Sequence, residues 1–179
     1  MPFEWIRSEV ILEGRAFKIR RDYLKAPDGA ETRLEIVDHG GSVVLLPLDE
    51  QNNLLFVRQY RHAVGADLLE LPAGTRDEEE PYEDCARREI REETGMAAGD
   101  LQKLGEFYLA PGYSTEFMAV FLATELKEDP LQADDDEFLQ LEKIPLKKAI
   151  LMAEQGEIPD AKSLAALLLA RPHLEKYLG

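Results

Sequence analysis

The chain has 179 residues, enough for one domain with a substantial core and an N-terminal extension. Its formal charge of −15 argues against nucleic acid or an anionic membrane as a partner, because both need basic patches. A phosphorylated substrate stays open if metal ions supply positive charge locally. Cys85 is the only cysteine, so no intrachain disulfide exists and a reducing compartment is expected. The residue reads as a small buried side chain on a helix rather than a nucleophile. MPFEWIRSEV carries charge without a long apolar core, so no signal peptide is expected. No apolar run reaches about 18 residues, so no membrane span is expected, and the cytoplasm is the default setting.

Residues 3–37 carry extended-type runs at Glu9–Leu12, Ala16–Ile19 and Arg33–Val37, the last two joined by the turn Ala26-Pro27-Asp28-Gly29. So short an antiparallel unit is hardly stable alone and must pack on the main domain or on a second subunit. Residues 1–40 are therefore set apart from a main domain at 41–179. Trp5, Phe17 and Tyr23 read as packing residues, with an aromatic that stacks on a base as the alternative. Ser42–Leu48 is a continuous apolar run typical of a central strand. Asp49–Asn53 is a turn, and Leu54–Val57 opens a strand that closes on Arg58-Gln59-Tyr60-Arg61. Arg61 is either a solvated strand end or a guanidinium whose planar fork grips phosphate. In the following segment, Leu68–Gly74, Glu70 is either a strand-edge charge or the margin of a site.

From Gly74 to Met96 the chain reads GTRDEEEPYEDCARREIREETGM. A helix is expected to open at Pro81, a favoured first helical residue, and to end at Gly95, a left-handed cap. At about 100° per residue, Glu89, Glu92 and Glu93 share roughly a third of its circumference. Tyr82, Cys85, Ala86 and Ile90 flank or share that arc, whereas Arg87, Arg88 and Arg91 point largely the other way. Three carboxylates are thus expected along the buried edge, which is costly unless they are paired or bound to metal. Such an oxygen-rich cluster suits a hard divalent cation such as magnesium. The plain alternative is an acidic surface helix held by Glu–Arg pairs at i to i+4.

Leu101–Leu109 reads as a further strand that runs into the turn-rich loop Ala110–Glu116. Phe117–Leu126 is another, buried through its first half. Lys127–Asp136 is polar and ends in the acidic run Asp134–Glu137, by itself a solvated loop. Phe138–Leu141 forms a last strand and Leu146–Gln155 a helix. Asp160 is the expected N-cap of a final helix through Ala170, with Pro172 breaking or kinking it and its Leu–Ala stripe in the core.

The spacing in the Gly74–Met96 stretch is specific: Gly74, five residues, Glu80, seven residues, Arg88-Glu89-Ile90, one residue, Glu92-Glu93, one residue, Gly95-Met96. The seven Gly, Glu and Arg positions alone, at about 7% each, coincide by chance on the order of once in 10⁸ starts. The stretch resembles the Nudix box of the Nudix hydrolase superfamily at every constrained position. Pro111, sixteen residues beyond Gly95, with ELPAG and PGYSTE, resembles the ADP-ribose pyrophosphatase subgroup. Ala110 stands where that subgroup often has Ser.

The resemblance implies an α/β fold, a Nudix-type α/β/α sandwich with a mixed sheet preceded by an N-terminal antiparallel β unit. It implies hydrolysis of a nucleoside diphosphate derivative, foremost ADP-ribose to AMP and ribose 5-phosphate. Mg2+, with Mn2+ as a substitute, would be held by Glu89, Glu93, Glu92 and the backbone carbonyl of Ala73, with Arg88 orienting the glutamates. It assigns substrate contacts to Arg61, Glu70, Pro111, Gly112 and Glu116, and more weakly to Arg33 and Glu35. An acid in the Asp134–Glu137 loop, with Asp136 and Glu137 preferred, would activate water or complete the metal site. Related enzymes exchange the N-terminal unit between subunits, which implies a homodimer. The rival readings are a pyrophosphatase for another nucleotide sugar such as GDP-mannose, a nucleotide-pool sanitiser, and a non-catalytic sensor. An intact box and the lack of a basic helix-turn-helix segment weigh against the sensor.

Overall fold

The computed structural model describes residues 3–132 and 138–178. The chain forms two compact units, Met1–Gly41 with Phe107–Met118, and Ser42–Glu106 with Ala119–Gly179.

In the first unit, β1 (Glu4–Glu13), β2 (Lys18–Lys25) and β3 (Glu31–Asp38) make an antiparallel sheet in that order. The β2–β3 turn closes where expected: Gly29 N–H donates to the Ala26 carbonyl at 2.8 Å, and the Asp28 carboxylate accepts the Ala30 N–H at 3.0 Å. Ala16 and Phe17 are not strand. Gly14 N–H bonds the Phe17 carbonyl at 3.0 Å, so these residues form the β1–β2 turn and the strand starts at Lys18. β1 shifts register between Trp5 and Arg7 and between Val10 and Leu12. Its apolar side chains stand in solvent, with Trp5 65% and Val10 61% exposed. Phe17 is exposed too, so Trp5 and Phe17 are not core residues of the single chain. Tyr23 is held, with the Arg7 guanidinium 3.5 Å from its ring centroid and its hydroxyl donating to Glu9 at 2.8 Å. The loop from residue 107 reaches β3: Val37 N–H bonds the Tyr113 carbonyl at 2.8 Å and Thr115 N–H bonds the Val37 carbonyl at 3.0 Å.

The second unit runs β4 (Ser42–Pro47), β5 (Asn53–Arg61), β6 (Ala66–Glu70), β7 (Ala73–Thr75), α1 (Tyr82–Thr94), β8 (Met96–Tyr108), β9 (Phe117–Glu128), β10 (Leu139–Pro145), α2 (Leu146–Glu154) and α3 (Ala161–Leu178), with the ends of β8 and β9 leading to and from the Phe107–Met118 loop. One sheet has the order β7-β4-β9-β8 and a second the order β10-β5-β6. β4 is buried at every position, as an apolar run in a central strand must be. Its Val43 and Leu45 join Cys85, Ala86 and Ile90 of α1 and Ala119, Phe121 and Ala123 of β9 in one buried cluster. Strand alternation turns Val44 and Leu46 to the opposite face, where they too are fully buried and α3 contacts β4. Helices therefore cover both faces of the β4 sheet, which is the expected α/β/α sandwich.

Further boundaries differ from expectation: β8 starts at Met96 rather than Leu101. Pro81 flanks the helix in an extended conformation, and the first turn closes from Cys85 N–H to the Pro81 carbonyl at 3.0 Å. Phe138 is exposed and precedes β10, which runs on to Pro145. α3 passes through Pro172 to Leu178. The proline removes one backbone donor on an exposed face, while Ala170 and Leu174 on either side are buried and hold the helix to the core. Among the described residues no helix is long and apolar enough to cross a membrane.

Candidate active site

α1 is fixed at both ends. Glu83 and Asp84 in its first turn oppose the positive end of the helix dipole. At its other end Gly95 adopts φ 72°, and its N–H returns to the Arg91 carbonyl at 3.1 Å. Cys85, Ala86 and Ile90 anchor the helix to the sheet, and Glu89 and Glu93 share that buried side at 7% and 8% exposure. Burying an acid on an apolar helix face needs specific partners.

Those partners come from β7. Ala73 N–H donates to a Glu93 oxygen at 3.0 Å. At Gly74 a Cβ would land on the Glu89 carboxylate, so the glycine opens the space which that carboxylate fills. The spacing from Gly74 to Glu89 thus has a steric cause. The cradle exists only without a side chain at position 74.

Arg88 does not point away from the glutamates, contrary to the wheel projection. Its guanidinium folds back and gives Glu80 two bonds, at 3.0 and 2.9 Å. It also donates to Glu89 at 2.7 Å, to Glu92 at 2.9 Å and to the Thr75 carbonyl at 3.2 Å. The projection placed its Cα correctly, but a long side chain can reach around the cylinder. The Glu80 hydrogen bonds push Arg88 well above its ordinary pKa against the opposing effect of burial, with Glu89 and Glu92 adding to the rise. In return Arg88 draws Glu80 below the usual carboxylate range. Burial, then the Glu89 and Glu80 charges, push the Cys85 thiol up, so the thiolate form needed of a nucleophile is suppressed.

A second network borders this one. Arg61 grips Glu70 with both arms of its fork, Nε to Oε1 at 2.9 Å and Nη2 to Oε2 at 2.7 Å. Glu70 ends the edge strand β6 but is not a solvated charge, because it is only 2% exposed. Lys162 of α3 also donates to Glu70 and pairs with Asp160 at 3.0 Å. Asp160 caps α3 through Ser163 N–H at 3.0 Å and accepts the Ser163 hydroxyl at 2.5 Å, while that hydroxyl accepts Leu71 N–H at 2.7 Å. Burial alone would raise Glu70, but the bonds and charges of Arg61 and Lys162 outweigh it and hold the acid below the ordinary range. Arg61 is raised by its Glu70 bonds over the cost of burial, and the charges of Glu93 and Asp160 act on it as well.

The second unit therefore brings together Ala73, Glu89, Glu92, Glu93 and Arg88 around α1, with Arg61 and Glu70 beside them. Arg33, Glu35, Pro111, Gly112 and Glu116 belong to the first unit. There Glu35 accepts Arg21 at 2.8 Å, and the Glu116 carbonyl accepts Leu109 N–H at 3.1 Å. Asp136 and Glu137 lie outside the described residues. Sequence reasoning missed Lys162 and Ser163 as partners of the Glu70–Leu71 segment. The cap at Asp160 was visible in the sequence, but nothing local tied it to a strand end 90 residues earlier in the chain.

Among the described residues no trio of His, Cys, Asp or Glu side chains stands as a ready-made metal cage. The donor chemistry nonetheless fits a hard divalent cation. It consists of carboxylates of Glu89, Glu92 and Glu93 and the backbone carbonyl of Ala73, with the Gly74 cradle keeping Glu89 against the strand.

A fold with helices on both faces of the sheet and a buried box of glutamates held by one arginine defines a Nudix hydrolase. The NUDIX domain family matches residues 38–167, and the chain belongs to this family. It is 34% identical to an ADP-ribose pyrophosphatase of Bacillus subtilis (strain 168) over 164 residues, 90% of this chain and 89% of the relative. It is 37% identical to an ADP-ribose pyrophosphatase of Mycobacterium tuberculosis over 169 residues, 93% and 82% of the two chains. A GDP-mannose pyrophosphatase of Citrobacter koseri is 34% identical over 153 residues, 80% of each chain. In fold, the chain is similar to the crystal structure of an ADP compounds hydrolase, with TM-score 0.86, 24% identity, and coverage of 99% and 96%.

Proposed function

We propose that this chain hydrolyses the diphosphate of ADP-ribose, giving AMP and ribose 5-phosphate. The observation that carries the reading is the burial of Glu89 and Glu93 against Ala73–Gly74, a costly arrangement that divalent-metal chemistry explains. The similarity to two ADP-ribose pyrophosphatases supports the choice of substrate.

In this reading Glu89, Glu92, Glu93 and the Ala73 carbonyl hold Mg2+, for which Mn2+ can substitute. Bound there, the cation offsets the diphosphate charge and acidifies water. Arg88 fixes the glutamates through the bonds described, a role that leaves it off the substrate. Arg61 grips a phosphate and Glu70 sets the direction of its fork. Arg33, Glu35, Pro111, Gly112 and Glu116 contact the remainder of the ligand. An acid of the 134–137 run, Asp136 or Glu137, takes the proton as water attacks phosphorus and the bridging P–O bond breaks. Residues 1–40 act as a dimerisation and substrate-contact unit on the catalytic domain 41–179, in keeping with the exposed Trp5 and Val10. The protein works as a cytoplasmic homodimer, and sedimentation should return twice the chain mass.

The experiment is nucleotide release from ADP-ribose, GDP-mannose, UDP-glucose, NADH and dinucleoside polyphosphates with Mg2+. Preferential AMP release from ADP-ribose, lost with EDTA, is expected. Preference for GDP-mannose, a reading favoured by the GDP-mannose pyrophosphatase relative, would keep the mechanism and overturn the substrate. No turnover across the panel would overturn the hydrolase reading.

A further inference from the structure

The Glu70 carboxylate has two cations on it, and only one of them has a place in the scheme above. Arg61 uses Nε and Nη2 on Glu70, leaving Nη1 without a hydrogen-bond partner among the described residues. The Arg61 side chain is 40% exposed, whereas Lys162 beside it is 12% exposed and cannot itself be the main contact for a ligand. Lys162 instead reaches inward, to Glu70 and to Asp160. With Lys162 present, Arg61, Lys162, Glu70 and Asp160 sum to zero charge. Without it the arginine faces two carboxylates and the group becomes net negative. Arg61 also feels the Glu93 charge, so it sits in an acidic field that would otherwise oppose an anionic ligand.

We propose that Lys162 is a positioning residue for the diphosphate, sharing the buried Glu70 carboxylate so that Arg61 stays available to an anion. The inference rests on the hydrolase reading above. The closed ring from Leu71 through Ser163, Asp160 and Lys162 to Glu70 fixes where that happens. It ties the end of β6 to the first turn of α3, immediately before the Ala73–Gly74 backbone that receives Glu93 and Glu89.

The test is steady-state kinetics on ADP-ribose at saturating Mg2+ for the wild type, Lys162→Gln and Lys162→Arg. Lys162→Gln keeps a donor towards Glu70 and removes the charge. Its KM should rise about tenfold, the usual weight of one charge-assisted contact, with kcat within about threefold. Lys162→Arg should restore KM to within about threefold of the wild type. In an Arg61→Ala background, Lys162→Gln should add almost nothing to KM, an outcome that a merely structural role would not give. If Lys162→Gln does not fold, Lys162→Met keeps the side-chain volume and carries the same expectation. An unchanged KM in a folded variant, or equal loss in both Lys162 variants through kcat alone, would overturn the proposal. An active wild type with such a variant defeats only the role of Lys162. A wild type inactive on every nucleoside diphosphate derivative defeats the hydrolase reading and this role together.

Discussion

In the β1–β3 sheet, Trp5, Val10 and Leu12 stand in solvent while charged neighbours pair across strands, as Arg21 does with Glu35 at 2.8 Å. Around α1 and β7 the assignment is reversed, with Glu89 and Glu93 buried among Cys85, Ala86 and Ile90. Exposed ion pairs contribute little to stability, so the first sheet gains its order chiefly from backbone bonds and whatever covers its apolar face. The buried acids are costly to keep, and the fold compensates with one glycine, one backbone donor and one arginine. Apolar exposure points to a partner surface, whereas acid burial points to chemistry.

The buried side of this comparison is the easier to break. Glu93→Gln keeps an acceptor for Ala73 N–H, so the variant should melt near the wild type. Its turnover should nevertheless fall by about 10²- to 10³-fold, the loss seen when one preorganised group is removed. Near-normal turnover would take Glu93 out of the chemistry. Gly74→Ala places a methyl on the Glu89 carboxylate and should cost about 10²-fold in kcat by displacing a group beside the reacting atoms. Full activity there would mean that the cradle is incidental. Arg61→Ala removes a contact to the ligand and should raise KM about tenfold with little change in kcat. An unchanged KM would end its phosphate role.

Smaller still is an effect of pH on stability. The folded-state pKa of Glu70 is depressed, and so is that of Asp49, where burial opposes but the bonds from Asn53 and Gln51 prevail. Depressed acids give stability that is whole above their unfolded pKa values, about 4, and is lost as pH falls through the folded ones. The melting temperature should be level from pH 7 to about 5 and decline below about pH 4. A decline already complete at pH 5 would contradict these directions.

The box helix was legible because its signals are local: a proline before it, a glycine after it, and a period that aligns Glu89 and Glu93 with Ile90. β4 was legible for a similar reason, since the continuous apolar run Ser42–Leu48 suits a central strand, and every position of β4 is buried. Arg88 was misread because helical projection fixes the Cα and not the tip of a long, flexible side chain. The end of α3 was placed too early, at Ala170, because local propensity yields to tertiary packing when the residues flanking Pro172 are buried. The Glu70–Lys162 pair was illegible in principle. Its partners are 92 residues apart, and neither carries a local sign of the other. The solvent exposure of Trp5 was equally hidden, because composition marks it as apolar without saying what covers it.

The central claim is that the buried glutamates exist to hold a divalent cation. Calorimetric titration of Mg2+ into the wild type and into Glu93→Gln, each freed of metal beforehand, tests it without any assumption about substrate. The account predicts binding to the wild type that EDTA reverses, and binding to Glu93→Gln weakened at least about tenfold. Equal affinity in the two proteins, both folded, would contradict it.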